Sequence, residues 1–234
     1  MKYVSLVGTV HGEKGLANIP ELYAILERIR PEVIFLEMPS TAFIEYFDVG
    51  TRWNLESIAV RRYRDLHNVK LVPVDLPTPE EEFFKKNQYL HKKIEDKSYE
   101  YRQLIDWHSR CVSLYGFSYL NSEHHGIFWS DLHKVILATI ESLNDHRLVE
   151  LNELWNKTME LRDKKMIKNV EEYCRQNAFE KGAFLVGASH RQSIIDKLMR
   201  QSLADSPKIR WDFAGFVDEA NREREASSST ITKP

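Results

Sequence analysis

Cysteine and long apolar runs are both scarce in this sequence of 234 residues. The two cysteines, Cys111 and Cys174, form no CxxC motif and no disulfide-like spacing, which fits a reducing compartment. No segment approaches the roughly 18 apolar residues that a membrane span needs. The first residues, MKYVSLVGTVHG, lack the apolar core and cleavage site of a signal peptide. We therefore expect a cytoplasmic protein without membrane contact.

The motifs that mark nucleotide chemistry are also missing. The sequence contains no Gly-x-Gly-x-x-Gly and no Walker lysine loop, and its serines lie in no Gly-x-Ser-x-Gly elbow. The formal net charge is -2 with histidine neutral, so the chain has no overall attraction to nucleic acid. These absences argue against a nucleotide cofactor, a serine-hydrolase elbow and a nucleic-acid partner.

An alternation of strands and helices occupies the first third of the chain. Short apolar, β-branched runs at residues 2–7, 32–37 and 69–75 are typical of buried strands. Asn18 followed by Glu21 resembles a capping box and predicts the start of a helix between the first two runs. The resulting order βαβαβ predicts parallel strands joined by helical crossovers.

The pattern changes at Thr78. Thr78-Pro79-Glu80-Glu81 has the residues of a helix start, and no convincing strand follows before residue 181. We predict a helical insertion over residues 78–180, with breaks at Gly126 and at Asn144-Asp145 and a long helix after the second break.

The α/β pattern returns after the insertion. Residues 182–186 predict another buried strand, residues 209–213 a last strand and residues 215–225 a short charged helix. The predicted fold class is therefore α/β, with a mixed, mainly parallel central sheet, flanking helices and a large all-helical insertion. The predicted units are an α/β core at 1–77 and 181–225, the insertion at 78–180 over the site, and a disordered tail at 226–234.

Two turns of the form Gly-x-x-His come after the first strand and after the strand at 182–186. They are Gly8-Thr9-Val10-His11 and Gly187-Ala188-Ser189-His190. The carboxyl ends of parallel strands form the edge of a sheet where ligands bind. If the two strands are neighbours, both imidazoles project into one crevice. The alternative is that each histidine is an ordinary turn residue that bonds a nearby carbonyl.

Three further side chains are candidates for this edge. Glu37 ends the second predicted strand and is suited to bind a metal or act as general base, unless it only caps a helix or pairs with an arginine. Asp75 ends the third strand, although Asp before Leu-Pro is also ordinary turn chemistry. Arg162 lies in a charged stretch that is typical of a solvated helix face. Only an inward-pointing Arg162 can bind a substrate oxygen.

Taken in order along the chain, these residues resemble the TraB/PrgY family. The resemblance rests on Gly8-Thr-Val-His-Gly12, Glu32-Val-Ile-Phe-Leu-Glu37, Arg162-Asp-x-x-Met166 and Phe184-Leu-Val-Gly-Ala-Ser-His190. It covers roughly residues 1–40 and 160–200. The family is grouped with the Tiki proteases, the erythromycin esterases and the ChaN-type haem-binding proteins.

The resemblance implies an EreA/ChaN-like fold with a helical insertion over the site. It also implies that His11, Glu37, Arg162 and His190 line that site. Tiki-type members are metal-dependent proteases, whereas erythromycin esterases hydrolyse an ester without a metal and use a histidine to activate water.

These features support three functional hypotheses. In the first, the protein is a hydrolase that attacks an amide or ester of a peptide or small-molecule substrate, with Arg162 stabilising the oxyanion. Either His11, Glu37 and His190 bind a divalent metal ion of unspecified identity, or one of the two histidines acts as general base, oriented by Glu37. In the second, the same pocket binds a peptide or haem without turnover. In the third, residues 80–180 form a helical interaction module. A homo-oligomer is compatible with all three hypotheses.

Overall fold

The computed structural model describes residues 1–201, 209–213 and 215–216. Most of the helix expected at 215–225, and all of the tail at 226–234, lie outside the described residues. The strands are Lys2–Thr9 (β1), Val33–Leu36 (β2), Lys70–Pro73 (β3), Lys181–Gly187 (β4) and Ile209–Asp212 (β5). The helices are Ile19–Ile29 (α1), Ser40–Phe43 (α2), Leu55–Leu66 (α3), Glu81–Lys97 (α4), Tyr99–Leu120 (α5), Glu123–Leu143 (α6), His146–Gln176 (α7) and Ala188–Arg200 (α8), and a π-helical turn spans Ile44–Asp48.

The five strands form one sheet in the order β3-β2-β4-β1-β5. The predicted α/β class with flanking helices is confirmed. The expectation of a mixed sheet is corrected, because every neighbouring pair within the described residues is parallel. Helices between the strands return the chain to the same end of the sheet, so successive strands run in one direction.

Buried apolar side chains alternate between the two faces of the sheet, as the two-residue period of a strand requires. Leu6, Phe35 and Phe184 pack in one cluster with residues of α7 and α8. Val7 and Leu36 pack in another cluster with residues of α1 and α3. Each buried side chain of this size contributes roughly 1.5–3 kcal/mol of hydrophobic free energy. Two helical layers therefore hold the sheet and fix its carboxyl edge.

The start of α1 is as predicted, whereas the start of α4 is not. The Asn18 side chain accepts a hydrogen bond from the Glu21 amide at 3.0 Å and caps α1. The predicted start at Thr78 is wrong, because α4 begins at Glu81. Glu80 has an extended backbone and makes no side-chain cap, so Thr78 lies ahead of the helix and caps nothing there.

Of the two predicted breaks in the helical region, one is wrong and the other is confirmed. The break at Gly126 is wrong, since Gly126 lies inside α6. A glycine at this position leaves room for Gln192 of α8, whose Oε1 is only 2.6 Å from the place a Cβ would occupy. The break at Asn144 is confirmed, because this residue adopts a left-handed backbone (φ 48) at the end of α6.

The chain between β3 and β4 contains α4 to α7 and no strand, as the sequence predicts for the described residues. These four helices have a buried cluster of their own that includes Leu90, Phe128 and Leu148. The second half of α7 packs instead on the sheet through Met166 and Val170. Among the residues that the structure describes, no helix is both long and apolar enough to cross a membrane.

Candidate active site

The carboxyl edge of the sheet brings the two Gly-x-x-His turns side by side. β1 and β4 are adjacent, and Thr9 pairs with Gly187 in the register between them. His11 comes after β1, and His190 lies in the first turn of α8 directly after β4. Glu37 comes after β2, which is the other neighbour of β4, and so reaches the same edge.

Arg162 points inward from α7 and joins two strand-end carboxylates. Its Nη2 donates to Glu37 Oε1 at 2.6 Å and to Asp75 Oδ2 at 2.5 Å. Its Nε donates to Asp75 Oδ2 at 3.1 Å. Only 16 % of the Arg162 side chain is exposed, so this residue is not part of a solvated helix face. The guanidinium neutralises two buried carboxylates that would otherwise repel each other.

His190 is held between two carboxylates. Its Nδ1 lies 2.6 Å from Asp163 Oδ1, its Nε2 lies 3.2 Å from Glu37 Oε1, and only 5 % of its side chain is exposed. Burial by itself lowers the pKa of His190, but the hydrogen bonds to Asp163 and Glu37 outweigh that effect and raise the pKa to about 9. The ring is therefore an imidazolium at neutral pH, and both of its nitrogens are donors.

Glu37 accepts hydrogen bonds at both of its carboxylate oxygens. Arg162 occupies Oε1, and the Gly187 amide donates to Oε2 at 2.5 Å. Burial raises the pKa of Glu37, yet the hydrogen bond from His190 and the charges of His190 and Arg162 lower it to about 2. Gly187 permits this approach, because a Cβ there would lie 3.3 Å from Glu37 Oε2. Glu37 is thus ionised at neutral pH and is not free to serve as a general base.

One nitrogen of Arg162 contacts no carboxylate among the described residues. The ion-pair network consists of Glu37, Asp75, Arg162, Asp163, His190 and Lys197, whose Nζ lies 3.1 Å from Asp163 Oδ2. Arg162 Nη1 lies 3.3 Å from His190 Nε2, which is itself a donor when the ring is protonated. Its other contact is Met159 Sδ at 3.7 Å, a weak acceptor. This nitrogen is therefore the one of the three guanidinium nitrogens that is not engaged by a carboxylate among the described residues.

His11 lies outside the ion-pair network and is held by a different carboxylate. Its Nδ1 is 3.0 Å from Glu56 Oε1, and 74 % of its side chain is exposed. The hydrogen bond that His11 donates to Glu56 is the largest effect on His11 and raises its pKa above 6.5. The charge of Glu37 also raises the pKa of His11 and that of Arg162 lowers it. His11 is thus within electrostatic range of the network without a hydrogen bond to it.

The turn that carries His11 is fastened to the helical region. The Asn121 side chain accepts from the Gly8 amide at 2.7 Å and donates to the Gly8 carbonyl at 3.1 Å. A Cβ on Gly8 would lie 3.0 Å from Arg191 Cδ and 3.1 Å from the Leu120 carbonyl oxygen. Only glycine therefore lets β1 end this close to the segment after α5 without displacing a neighbour.

The structure brings most of the predicted site residues together. Glu37, Arg162 and His190 are in direct contact, and Asp75, a weaker candidate in the sequence, is a full partner of Arg162. His11 reaches the same edge of the sheet but is not in contact with the other three.

Two residues of the site, Asp163 and Glu56, were missed by sequence reasoning. Asp163 directly follows Arg162 in α7, and the density of charges around it favoured the interpretation of a solvated face. Glu56 lies in the first turn of α3, where an acidic residue ordinarily serves the helix dipole. The signal available for Asp163 was its place beside an arginine that was already a candidate.

The metal-binding role expected of His11, Glu37 and His190 stays a prediction; the structure brings Glu37 and His190 into contact, whereas His11 contacts Glu56 instead. Both oxygens of Glu37 accept hydrogen bonds, and both ring nitrogens of His190 lie within 3.2 Å of a carboxylate oxygen. Among the described residues, no group of three or more histidine, cysteine or acidic side chains could hold a metal ion.

Comparison of the chain with family models, with curated proteins and with solved structures finds no match. The resemblance to the TraB/PrgY family and the hydrolase function accordingly stay predictions. Geometry at the carboxyl edge of the sheet, where an exposed histidine lies near a buried ion-pair network, is the basis for a functional proposal.

Proposed function

We propose that the protein is a metal-independent hydrolase that attacks an ester or amide of a small molecule or peptide with water. The observation that supports this most is the contrast at one sheet edge between an exposed His11 and the inward-pointing Arg162, whose Nη1 contacts no carboxylate among the described residues. The first group can accept a proton and the second can stabilise developing negative charge. Those are the two needs of hydrolysis by direct attack of water.

His11 is the general base of the proposed reaction. Glu56 contacts Nδ1, so Nε2 is the nitrogen that removes a proton from the attacking water. The water oxygen bonds to the carbonyl carbon, and the carbonyl oxygen becomes an oxyanion that Arg162 Nη1 stabilises. The tetrahedral intermediate then expels the alcohol or amine, which takes the proton from His11.

The rest of the ion-pair network positions Arg162 for this role. Asp75 and Glu37 fix its Nε and Nη2, and a guanidinium held at two nitrogens presents the third in a defined direction. His190 holds Glu37 in turn and is itself held by Asp163. A preorganised donor of this kind does not need to reorient when charge develops.

The same proposal accounts for the helical region. We infer that residues 78–180 form an insertion over the site, since α7 supplies Arg162 and Asp163 to an edge built by β2, β3 and β4. An EreA/ChaN-like fold and membership of the TraB/PrgY group belong to the proposal too. They are supported by the meeting of Glu37, Arg162 and His190.

The experiment is a hydrolysis assay of the full chain on p-nitrophenyl esters of increasing acyl length and on a fluorogenic peptide mixture. His11→Asn is expected to lower kcat/KM by at least about 100-fold, the usual range for loss of a general base. His133→Asn, which changes an exposed histidine on α6, is the matched control and should retain wild-type rates. A chelator is expected to leave the rate unchanged.

Equal activity of His11→Asn and the wild type would contradict the proposal. A chain that hydrolyses none of these substrates, but whose Arg162 and His11 resonances shift on titration with the same compounds, would support the ligand-binding alternative instead. Loss of activity on chelation, with recovery on adding a divalent ion, would overturn the metal-independent mechanism.

A further inference from the structure

The carboxylate that holds His11 is buried, while His11 itself is not. Only 10 % of the Glu56 side chain is exposed, against 74 % of the His11 side chain. Glu56 Oε1 accepts from Thr9 Oγ1 at 2.9 Å in addition to its contact with His11 Nδ1 at 3.0 Å. A charge-assisted hydrogen bond in such a shielded position is stronger than its equivalent in water.

Glu56 is fixed in place by the start of α3. Asn54 caps this helix by accepting from the Ser57 amide at 2.8 Å, and Ser57 accepts in return from the Asn54 amide at 2.8 Å. The Leu55 amide donates to the His11 carbonyl oxygen at 3.0 Å. The turn that carries His11 is thus bound to α3 through both main chain and side chain. The contact between Glu56 and His11 therefore belongs to a rigid unit.

The second oxygen of Glu56 has no hydrogen-bond partner among the described residues. A buried, unpaired acceptor ordinarily costs about 1–3 kcal/mol of stability. Glu56 thus has one oxygen without a partner among the described residues and the other against an exposed histidine, which places its negative charge at the ring of His11.

We propose that Glu56 is the positioning residue of His11, holding the ring in the tautomer that has its proton on Nδ1 and its lone pair on Nε2. This inference rests on the proposed function, in which Nε2 of His11 removes the proton from water. Glu37 affects His11 through its charge alone and not through a hydrogen bond. The expectation that Glu37 orients the base is therefore replaced by the inference that Glu56 does so.

The first test observes His11 directly and needs no substrate. Long-range ¹H–¹⁵N spectra of the full chain should show the tautomer protonated on Nδ1 for His11 at a pH above its titration. Predominance of the tautomer protonated on Nε2 in the wild-type chain would overturn the proposal. This measurement requires no variant, so it holds whether or not any substitution disturbs folding.

The second test uses Glu56→Gln, which keeps the shape of the side chain and removes its charge. The titration midpoint of His11 should fall toward its ordinary value, because Glu56 is the largest effect that raises it. Thermal unfolding should stay close to that of the wild type, since glutamine keeps the shape of the side chain and its amide oxygen can still accept from Thr9 Oγ1. An unchanged His11 titration would contradict the inference.

Glu27→Gln is the matched control, because Glu27 forms another histidine–glutamate contact, with His67 at 2.7 Å, outside the site. It should leave the titration of His11 and the rate of hydrolysis unaltered. Glu56→Gln should instead lower kcat by roughly 100-fold or more with little change in KM, since loss of an orienting carboxylate costs about 10⁴ in the serine-protease triad.

The failure of this inference and that of the proposed function are distinguishable. If Glu56→Gln changes the His11 titration and tautomer but no variant of His11 affects hydrolysis, the hydrolase mechanism is wrong. If His11 is needed for hydrolysis and Glu56→Gln has wild-type kcat and pH profile, the mechanism stands and the role assigned to Glu56 is wrong.

Discussion

The two Gly-x-x-His turns share a sequence pattern, a sheet edge and adjacent strands, yet they end in opposite environments. In the second turn α8 begins at once, so His190 lies in its first helical turn and is buried between Asp163 and Glu37. In the first turn the chain continues past β1 without a helix, and His11 stays exposed with one carboxylate partner.

The difference shows that the chemistry of a histidine is set by the elements around the motif and not by the motif itself. Two carboxylates keep His190 protonated to about pH 9, which suits a structural or electrostatic role. One carboxylate at a single nitrogen raises the pKa of His11, and its Nε2 has no carboxylate partner among the described residues. Only the first turn therefore has a ring nitrogen that is open to act as a base.

The largest expected effect on stability comes from breaking the ion-pair network at the second turn. Arg162→Met leaves Glu37 and Asp75 without the guanidinium that bridges them, and breaking a buried ion pair from one side costs about 3–5 kcal/mol. Urea unfolding measures the loss. Lys164→Met, on the exposed face of the same helix, is the control and should stay within about 0.5 kcal/mol. Similar losses in the two variants would show that the network adds no stability.

A smaller change in stability is expected from a change of pH, and its measurement distinguishes the two turns without a mutation. The folded-state pKa of His190 lies above its unfolded value, so its contribution to stability is complete below pH 6.5 and is lost as pH rises through about 9. The loss is at most about 3 kcal/mol from that shift. Chemical unfolding across this range measures it, with His190→Gln as the control that should show a flatter profile. A wild-type profile as flat as the variant's would contradict the contacts of His190 with Asp163 and Glu37.

The same two groups predict the pH dependence of hydrolysis. The rate should rise with pH as His11 loses its proton, at a midpoint above 6.5, because the neutral ring is the base. It should fall again near pH 9 as His190 is deprotonated and the network that holds Arg162 is weakened. A pH–rate profile with Glu56→Gln alongside tests both limbs, since only the acidic limb should move to lower pH. A rate that declines as pH rises from 6 to 8 would be inconsistent with His11 as base.

The smallest effect on stability is expected from a substitution in the first turn, where His11 is exposed. His11→Asn should lower the free energy of unfolding by about 1 kcal/mol, less than His190→Gln does, because the ring is exposed and only its contact with the Glu56 carboxylate is lost. Thermal and urea unfolding of this variant, beside His190→Gln, provide the comparison. A destabilisation as large as that of His190→Gln would show that the two turns are alike after all.

The sequence predicted the sheet and its edge well because local signals and the protein's topology agree there. The apolar runs at β1, β2 and β4 admit little besides buried strands, and glycine at the end of β1 and β4 marks the turn to the ligand-binding edge. Glu37 and His190 could be predicted from position alone, since both come directly after such strands.

Partners that come from other elements were harder to predict. The direction of Arg162 depends on how α7 lies on the sheet, and a charged helical stretch gives the same pattern whether it faces water or a carboxylate. Glu56 could not be predicted for a related reason. Its contact with His11 joins residues 45 apart and requires the placement of α3 beside the first turn. Such long-range orientations are set by packing and leave no periodic trace.

The strand order has a consequence for how the chain acquires its shape. β4, which begins at Lys181, separates β1 from β2 in the finished sheet. A nascent chain that has emerged only as far as α7 therefore lacks the piece that joins its first two strands, and their edges have no proper neighbour. Ribosome-bound intermediates of this length should engage holdase chaperones, and they should release them only when β4 has left the exit tunnel.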